Sequence, residues 1–263
     1  MTIPRANILG VGISAINMAM ALHAIEGWIV RREPHYICVT GVHGVMESQQ
    51  DAELLHIHNT AGLVTPDGMP LVWLSRLMGF RDVEQVCGSD LMLAVCDRSV
   101  TVTRGYRHFF YGGAPGVAEK LVARLLSRFP GLQVVGIDSP PFRPLTPSED
   151  QAAVERMNAA QPDVVWVGLS TPKQERWMAA HMGQLNASVL IGAGAAFDFH
   201  AGLKRRAPRW MQRTGLEWLF RLMLEPRRLW RRYLINNPWF LGLILLQALG
   251  WKRHEPGSVR ETI

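Results

Sequence analysis

Asp67 lies in Thr65-Pro66-Asp67-Gly68, where the apolar run Gly62-Leu63-Val64 ends and a helix-like stretch from Met69 to Met78 begins. The carboxylate therefore stands at the exit of a predicted strand. Four further polar or glycine-rich turns follow predicted strands in the same way: Gly112-Gly113-Ala114-Pro115-Gly116, Asp138-Ser139-Pro140-Pro141, Ser170-Thr171-Pro172-Lys173-Gln174 and Gly192-Ala193-Gly194. In open α/β sheets, ligands bind outside the carboxyl ends of the strands, where short loops converge and helix N-termini aim positive partial charge at anions. An enzyme with a nucleotide-like substrate is the expectation.

Each turn also has a plain structural reading. The glycines Gly112, Gly113 and Gly116 suit either a tight turn needing positive φ or close backbone approach to a diphosphate or ribose. Thr171, Pro172 and Glu175 read as a capped helix start, with Lys173 and Gln174 placed at the mouth of the sheet for anion and hydroxyl contacts. Asp198, between Phe197 and Phe199, either caps a helix or accepts from a ligand, since an unpaired buried carboxylate is costly. An isolated histidine after a strand, such as His43 after Thr40, is more often structural, but this one leaves the sheet at the end where ligands bind, so both a structural and a catalytic reading stand. Gly10-Val11-Gly12-Ile13-Ser14-Ala15 resembles a dinucleotide fingerprint, but the strand before it is short and no ribose-binding acid follows. A turn into a helix from Ile13 to Trp28 is expected there.

The elements that must position these residues follow from periodicity. Short β-rich apolar runs (36–40, 62–65, 108–111, 132–137, 163–169 and 188–192) alternate with helix-length segments at 89–98, 116–128, 149–159 and 173–182. Near-continuous apolar strands separated by helices indicate an α/β fold, a Rossmann-like and mostly parallel sheet with helices on both faces. The proline-rich stretch from Pro140 to Pro147 reads as a stiff loop before a helix capped near Ser148.

Charge is concentrated in one segment. From Lys204 to Arg232 there are ten Lys or Arg against Glu217 and Glu225, a net +8 in a chain whose total is +6. The apolar run from Pro238 to Trp251 follows without a charge. It is shorter than the roughly 20 residues a spanning helix needs, so a C-terminal basic and apolar helical appendage lying on an anionic membrane surface is expected. Residues 1–203 are assigned to the core and 204–263 to this appendage. Tryptophans through the basic stretch argue against nucleic acid as the partner. An exposed apolar patch invites self-association into a homo-oligomer.

The bulk composition, 48% hydrophobic and 19% charged over 263 residues, is that of a globular chain with one substantial core. Cys38, Cys87 and Cys96 form no CxxC pair and sit in apolar stretches, which predicts buried free thiols in a reducing compartment. The N-terminal residues lack a signal-peptide pattern. A cytoplasmic location is expected.

Taken in order, Thr65-Pro66-Asp67-Gly68, Gly88-Ser89-Asp90-Leu91, Gly112-Gly113-Ala114-Pro115-Gly116, Pro172-Lys173-Gln174-Glu175, Ala196-Phe197-Asp198-Phe199 and Arg206-Ala207-Pro208 through Gly215-Leu216-Glu217-Trp218-Leu219 resemble the WecG/TagA/CpsF family of bacterial glycosyltransferases. The resemblance runs from about Tyr36 to Phe240. It implies a Rossmann-like core that moves a sugar from a UDP-sugar to a polyprenyl-diphosphate-linked sugar, with inversion and without a metal, at the inner face of the bacterial cytoplasmic membrane. Glucose, N-acetylmannosamine and its uronic acid are the sugar classes implied. Asp67 takes the position of the family's proposed general base, with Thr40 at the family threonine. His43 stands in a shortened segment that lacks the family asparagine, and Gln85 replaces a basic residue. Gly112, Gly113, Gly116, Lys173, Gln174 and Asp198 then serve the nucleotide sugar, and Arg221, Arg228 and Arg231 the acceptor diphosphate.

The chemistry suits these residue types. An acceptor hydroxyl must lose a proton as it attacks the anomeric carbon, and a carboxylate can take it. The departing diphosphate gains charge that helix N-termini, Lys173 or arginines can stabilise. No DxD acidic pair is present, so neither metal nor cofactor is called for. Two rival readings stand beside this one: a nicotinamide-dependent oxidoreductase using the Gly10 region, and a non-catalytic membrane-surface adaptor using the basic segment alone.

Overall fold

In the computed structural model, residues 3–251 are described; the last part of the expected appendage, 252–263, lies outside the described residues. The chain opens with β1 (Arg5–Ile8) and β2 (Val11–Ser14), an antiparallel hairpin joined through Leu9 and Gly10, whose φ values are 52° and 86°. Two successive left-handed residues give the tight turn whose twist matches a hairpin. The side chain of Asn59 completes it, accepting from Gly12 N–H at 2.8 Å and donating to Gly10 O at 2.9 Å. This corrects the expected turn into a helix at Ile13. Buried Ala6 and Ile8 face Ile13 and Val11 across the hairpin, and the amides a dinucleotide would need are already used, Gly10 N–H by Asn7 Oδ1 at 2.8 Å and Gly12 N–H by Asn59. The oxidoreductase reading loses its fingerprint.

The elements then run α1 (Met18–Arg31), β3 (His35–Thr40), α2 (Val42–Ser48), α3 (Ala52–Thr60), β4 (Leu63–Pro66), α4 (Met69–Leu77) and α5 (Gly88–Thr101). After these come β5 (Arg107–Gly112), α6 (Val117–Arg128), β6 (Gln133–Asp138), α7 (Pro147–Ala160), β7 (Val164–Gly168), α8 (Lys173–His181), β8 (Val189–Gly192) and α9 (Ala196–His200). The C-terminal part is helical: α10 (Arg209–Arg213), α11 (Glu217–Leu224), α12 (Pro226–Trp230), a π-helical turn (Arg231–Ile235) and α13 (Asn236–Ala248). The cap of α7 falls at Thr146, two residues before the expected one. Its hydroxyl accepts from Glu149 N–H while the Glu149 carboxylate accepts from Thr146 N–H, a reciprocal capping box.

Two compact units divide the chain, one drawn from Met18–Val39 and Gly88–Arg205, the other from Met1–Asn17, Thr40–Cys87 and Arg206–Ile263. The first holds parallel strands in the order β3-β8-β7-β5-β6. Phe110 is in register with Trp166, and Trp166 with Ile191. Neighbours along a strand point to opposite faces, and both faces of β5 are covered. Phe110 meets Phe197 of α9 edge-on at 6.2 Å, whereas Tyr111 stacks on Trp177 of α8 at 4.6 Å. The expected parallel sheet with helices on both faces is what forms. All three cysteines are buried thiols.

The other unit contains the hairpin, α2, α3, β4, α4 and the C-terminal helices. In it β4 returns beside Thr40, with Asp67 N–H donating to Thr40 O at 3.0 Å. A small core of Ala15, Val72 and Val83, lined by Met69 and Phe80, forms inside this unit. The C-terminal segment is tied into the same unit at its far end. Gln247 of α13 accepts from Leu9 N–H at 2.9 Å and donates to Asn7 O at 2.8 Å, while Phe240 and Leu243 are buried. Among the described residues no helix is long and apolar enough to cross a membrane.

His108, fully buried in the Phe110 and Trp166 stack, accepts from Trp166 Nε1–H at 3.1 Å, and burial lowers its pKa from 6.5 to about 3. Between those values the unfolded chain binds a proton that the folded chain refuses, so stability is full above pH 6.5 and falls as the pH drops toward 3. The contribution is about 1.4 kcal/mol per pH unit within that window. Urea unfolding at pH 7 and pH 5 is expected to show His108→Gln, which keeps an acceptor for Trp166 but does not titrate, losing less stability than the parent over the same step.

Candidate functional site

The predicted residues fall into sets that belong to different units. Around Asp67, the backbone is held on both sides: its N–H by Thr40 O at 3.0 Å, and its carbonyl by the amide of Gln85 at 2.6 Å. Gly68 N-caps α4 with Pro70 in the first turn, which directs the chain away from the strand immediately after the carboxylate. A Cβ placed on Gly41 would lie 3.8 Å from Asp67 Oδ2. The carboxylate thus sits beside the turn that leads from β3 into α2.

His43 is in the first turn of α2, with Nδ1 3.6 Å from Glu47 Oε1, one helical turn on. Thr40 closes β3 and is almost wholly buried; its Oγ1 lies 3.0 Å from Nε2 of His58. His58 carries no sequence signal. It lies one position from Ile57 and two from His56 on α3, and only the packed structure selects which histidine turns inward. Its burial lowers its pKa, which keeps the imidazole neutral.

In the other unit, Gly112 and Gly113 have φ of 119° and 79°. A Cβ on Gly112 would come within 2.6 Å of Gly168 O, and Gly113 N–H donates to that same carbonyl at 3.0 Å. These two glycines serve the close passage of β5 against β7, which meets the structural of their two readings without bearing on the other. Gly116, the left-handed N-cap of α6, has open space where a Cβ would be, while the first amide of the helix, Val117 N–H, already donates to Ala114 O at 3.0 Å.

Gln174 is buried, and its side chain fills the room left by Gly192 and Gly194 at the carboxyl end of β8. Its Nε2 donates to Glu175 Oε1 at 3.0 Å, and that carboxylate oxygen also accepts from Thr171 Oγ1 at 2.9 Å. Among the described residues, none donates to Oε1 of Gln174. Pro172, rather than Thr171, is the N-cap of α8; Thr171 bonds the Glu175 side chain instead. Lys173 is exposed, its ammonium 5.4 Å from the Phe142 ring centroid. Asp198 lies on the short helix α9 and is paired with Lys204 at 3.0 Å, which settles how a carboxylate between two aromatics is tolerated.

The predicted arginines lie on successive C-terminal helices. Arg221 is in α11, Arg228 in α12 pairs with Glu225, and Arg231 opens the π-helical turn with its guanidinium 5.2 Å from the Trp230 ring centroid. The Arg228 side chain is 58% exposed in its ion pair; such pairs contribute little and exchange readily for a stronger anion. The side chain of Arg232 lies outside the described residues. Among the described residues, no group of three or more His, Cys, Asp or Glu is arranged to hold a metal ion.

A sequence model described as the Glycosyl transferase WecG/TagA/CpsF family matches residues 6–254 of the chain. Relatives named N-acetylglucosaminyldiphosphoundecaprenol N-acetyl-beta-D-mannosaminyltransferase are found in Bacillus spizizenii, 28% identical over 82% of this chain and 80% of the relative, and in Bacillus subtilis, 31% identical over 70% and 69%. A protein of the same name in Staphylococcus aureus is 24% identical over 86% of this chain and 87% of its own length.

The two glycine environments differ enough to separate by measurement. Gly112→Ala adds backbone overlap to an unfavourable φ and is expected to destabilise by on the order of 3 kcal/mol or more. Gly116→Ala meets only the left-handed penalty, about 1 kcal/mol. Thermal unfolding of both variants is expected to rank them in that order, with Gly112→Ala melting well below Gly116→Ala.

Proposed function

Because the chain belongs to the WecG/TagA/CpsF family of glycosyl transferases, we propose that it moves a sugar from a UDP-sugar to a polyprenyl-diphosphate-linked sugar in the building of a bacterial surface polysaccharide or exopolysaccharide. The observation that carries this reading is the family match over residues 6–254 together with a carboxylate, Asp67, held at a strand exit by hydrogen bonds to both its N–H and its carbonyl. The names of the relatives favour N-acetylmannosamine as the sugar and a diphospholipid-linked N-acetylglucosamine as the acceptor. Glucose and N-acetylmannosaminuronic acid are the other donors to try. Mass spectrometry of products from a UDP-sugar panel, with a short-chain lipid-diphosphate-N-acetylglucosamine, tests the proposal; no product with any donor would refute it.

In this mechanism Asp67 takes the proton of the acceptor hydroxyl as its oxygen bonds to the anomeric carbon from the side opposite UDP. The bond to the UDP oxygen breaks with its electron pair leaving on the diphosphate, which inverts the anomeric centre. Lys173 and the positive N-terminal end of the α6 dipole offset charge on that diphosphate, with Gly112, Gly113, Gln174 and Asp198 shaping the nucleotide-sugar side. Arg221, Arg228 and Arg231 supply guanidinium donors for the diphosphate of the acceptor. Side chains and backbone amides thus carry the charge without a metal.

A lipid-linked acceptor requires docking at a bilayer, and the C-terminal helices offer the surface. Leu241, Leu245 and Leu249 of α13 and the residue following it are spaced by four and exposed at 66%, 60% and 53%, so they form one apolar stripe. Exposed Trp230, Leu234 and Ile235 precede it, next to exposed Arg227, Arg228 and Arg231. Peripheral attachment to the cytoplasmic face of the membrane follows from this reading, each basic residue adding about 1 kcal/mol near an anionic leaflet. Deleting the segment is a poor test because α13 is bonded to the N-terminal hairpin; point changes on its outer stripe leave those bonds alone.

Asp67→Asn is expected to lower turnover about 10²–10⁴-fold while calorimetry shows UDP binding nearly unchanged. Wild-type turnover would remove Asp67 as the base, and a greater loss in His43→Ala would move that role to His43. For docking, Leu241→Ser with Leu245→Ser is expected to shift the protein from the pellet to the supernatant when it is spun with phosphatidylglycerol-rich vesicles. Unchanged sedimentation would refute the docking face, and a change of mass in lipid-free buffer would instead reveal that the stripe joins copies of the chain.

A further inference from the structure

The buried surroundings of Thr40 give it a task other than touching substrate. His58 Nδ1 lies 2.9 Å from Leu54 O, which can only accept, so Nδ1 carries the proton. The imidazole is fully buried and neutral, so Nε2 has a lone pair, and the Thr40 hydroxyl must donate to it across 3.0 Å. Ser48 Oγ donates to Gly44 O at 2.9 Å and lies 3.2 Å from His58 Nδ1, where it accepts a share of the same proton. Every donor in the chain has a direction.

The pocket is shaped for this pair. Gly44 lacks the Cβ that would come within 2.9 Å of Thr40 Cγ2. The helix bearing His58 is fixed at both ends: the Asp51 carboxylate caps Leu54 N–H at 3.0 Å, and the Arg5 guanidinium donates to the carbonyls of Asn59, at 3.0 Å, and Ala61. Thr40 is therefore held from its side chain by a rigid helix, and from its own carbonyl it holds the N–H of Asp67.

We infer that His58 and Thr40 are positioning residues for Asp67: the imidazole fixes the hydroxyl of Thr40 at the end of β3, and the carbonyl of Thr40 fixes the peptide of the base. The inference rests on Asp67 being the general base. Small displacements of a reacting group are costly, since a misplacement of about 1 Å can lose 10²-fold in rate. Loss of one neutral hydrogen bond in this relay corresponds to roughly a three- to ten-fold effect.

The side chains of Asn and Gln separate the two bonds of the imidazole. His58→Asn retains a donor for Leu54 O but has nothing at the Nε2 position; His58→Gln reaches that position with an amide oxygen that still accepts from Thr40. Using the full chain, and the donor and short-chain lipid-diphosphate acceptor that the wild type turns over, His58→Asn and Thr40→Val are each expected to lower kcat about ten-fold. The KM for the UDP-sugar stays put, the double variant loses no more than either single one, and His58→Gln and Thr40→Ser recover most of the rate. Additive losses, equal losses in Asn and Gln, or unchanged kcat in Thr40→Val would overturn the inference. Full turnover by Asp67→Asn would instead overturn the reading of the base on which it rests.

Discussion

A parallel strand buried on both faces has no side on which to carry polar chemistry. In β5, Phe110 faces Phe197 and the next residue, Tyr111, faces Trp177 on the other side of the sheet, so both alternating sets are committed to packing. Trp166, in register with Phe110 on one neighbouring strand and Ile191 on the other, extends the packed face that Phe110 belongs to. Functional groups are thereby confined to the places where strands end. Asp67 after β4, the glycines after β5 and the Gln174 side chain at the end of β8 occupy such exits for this reason. Their positions follow from the burial of the sheet as much as from any ligand.

The strands and most of the core helices were legible because their signals are strong and local: uninterrupted β-branched and aromatic runs, followed by polar turns and amphipathic segments. The N-terminal hairpin differs from the expected turn into a helix at Ile13 because two four-residue strands around Leu9 and Gly10 are too short for a clear periodic signal. What completes it is remote in sequence, namely the Asn59 side chain that binds backbone groups of Gly10 and Gly12. The helices α2 and α3 passed unmarked, being short and of mixed polarity. Around Thr40, Asp67 could be singled out from its turn, whereas His58 could not, because its bond to Thr40 depends on which face of α3 is buried and on the tautomer that Leu54 O imposes.

Several polar residues with a double reading are partly claimed by the protein itself. Gly112 and Gly113 are needed where β5 and β7 pass closely, Asp198 is matched by Lys204, and Arg228 by Glu225. These contacts are compatible with the binding roles proposed above. An exposed ion pair keeps a side chain near its working position at little energetic cost, and an arriving diphosphate offers a guanidinium two oxygens in a fixed fork. Gln85 shows the same economy: where the family resemblance leads one to expect a cation, an amide secures the carbonyl of Asp67.

The π-helical turn between α12 and α13 lies just ahead of Pro238, which has no N–H to give and whose ring crowds the carbonyl of Leu234. A widened turn accommodates that proline without breaking the helix. It also sets an angle. Each residue advances a helix by about 100°, so the one extra residue held in a π-turn rotates everything after it relative to everything before. The arginines of α12 precede this point, and the leucine stripe of α13 follows it. The azimuth between the cationic and greasy faces is consequently encoded in a single backbone irregularity, and a one-residue deletion there would turn the two faces apart while leaving every side chain of both in the sequence.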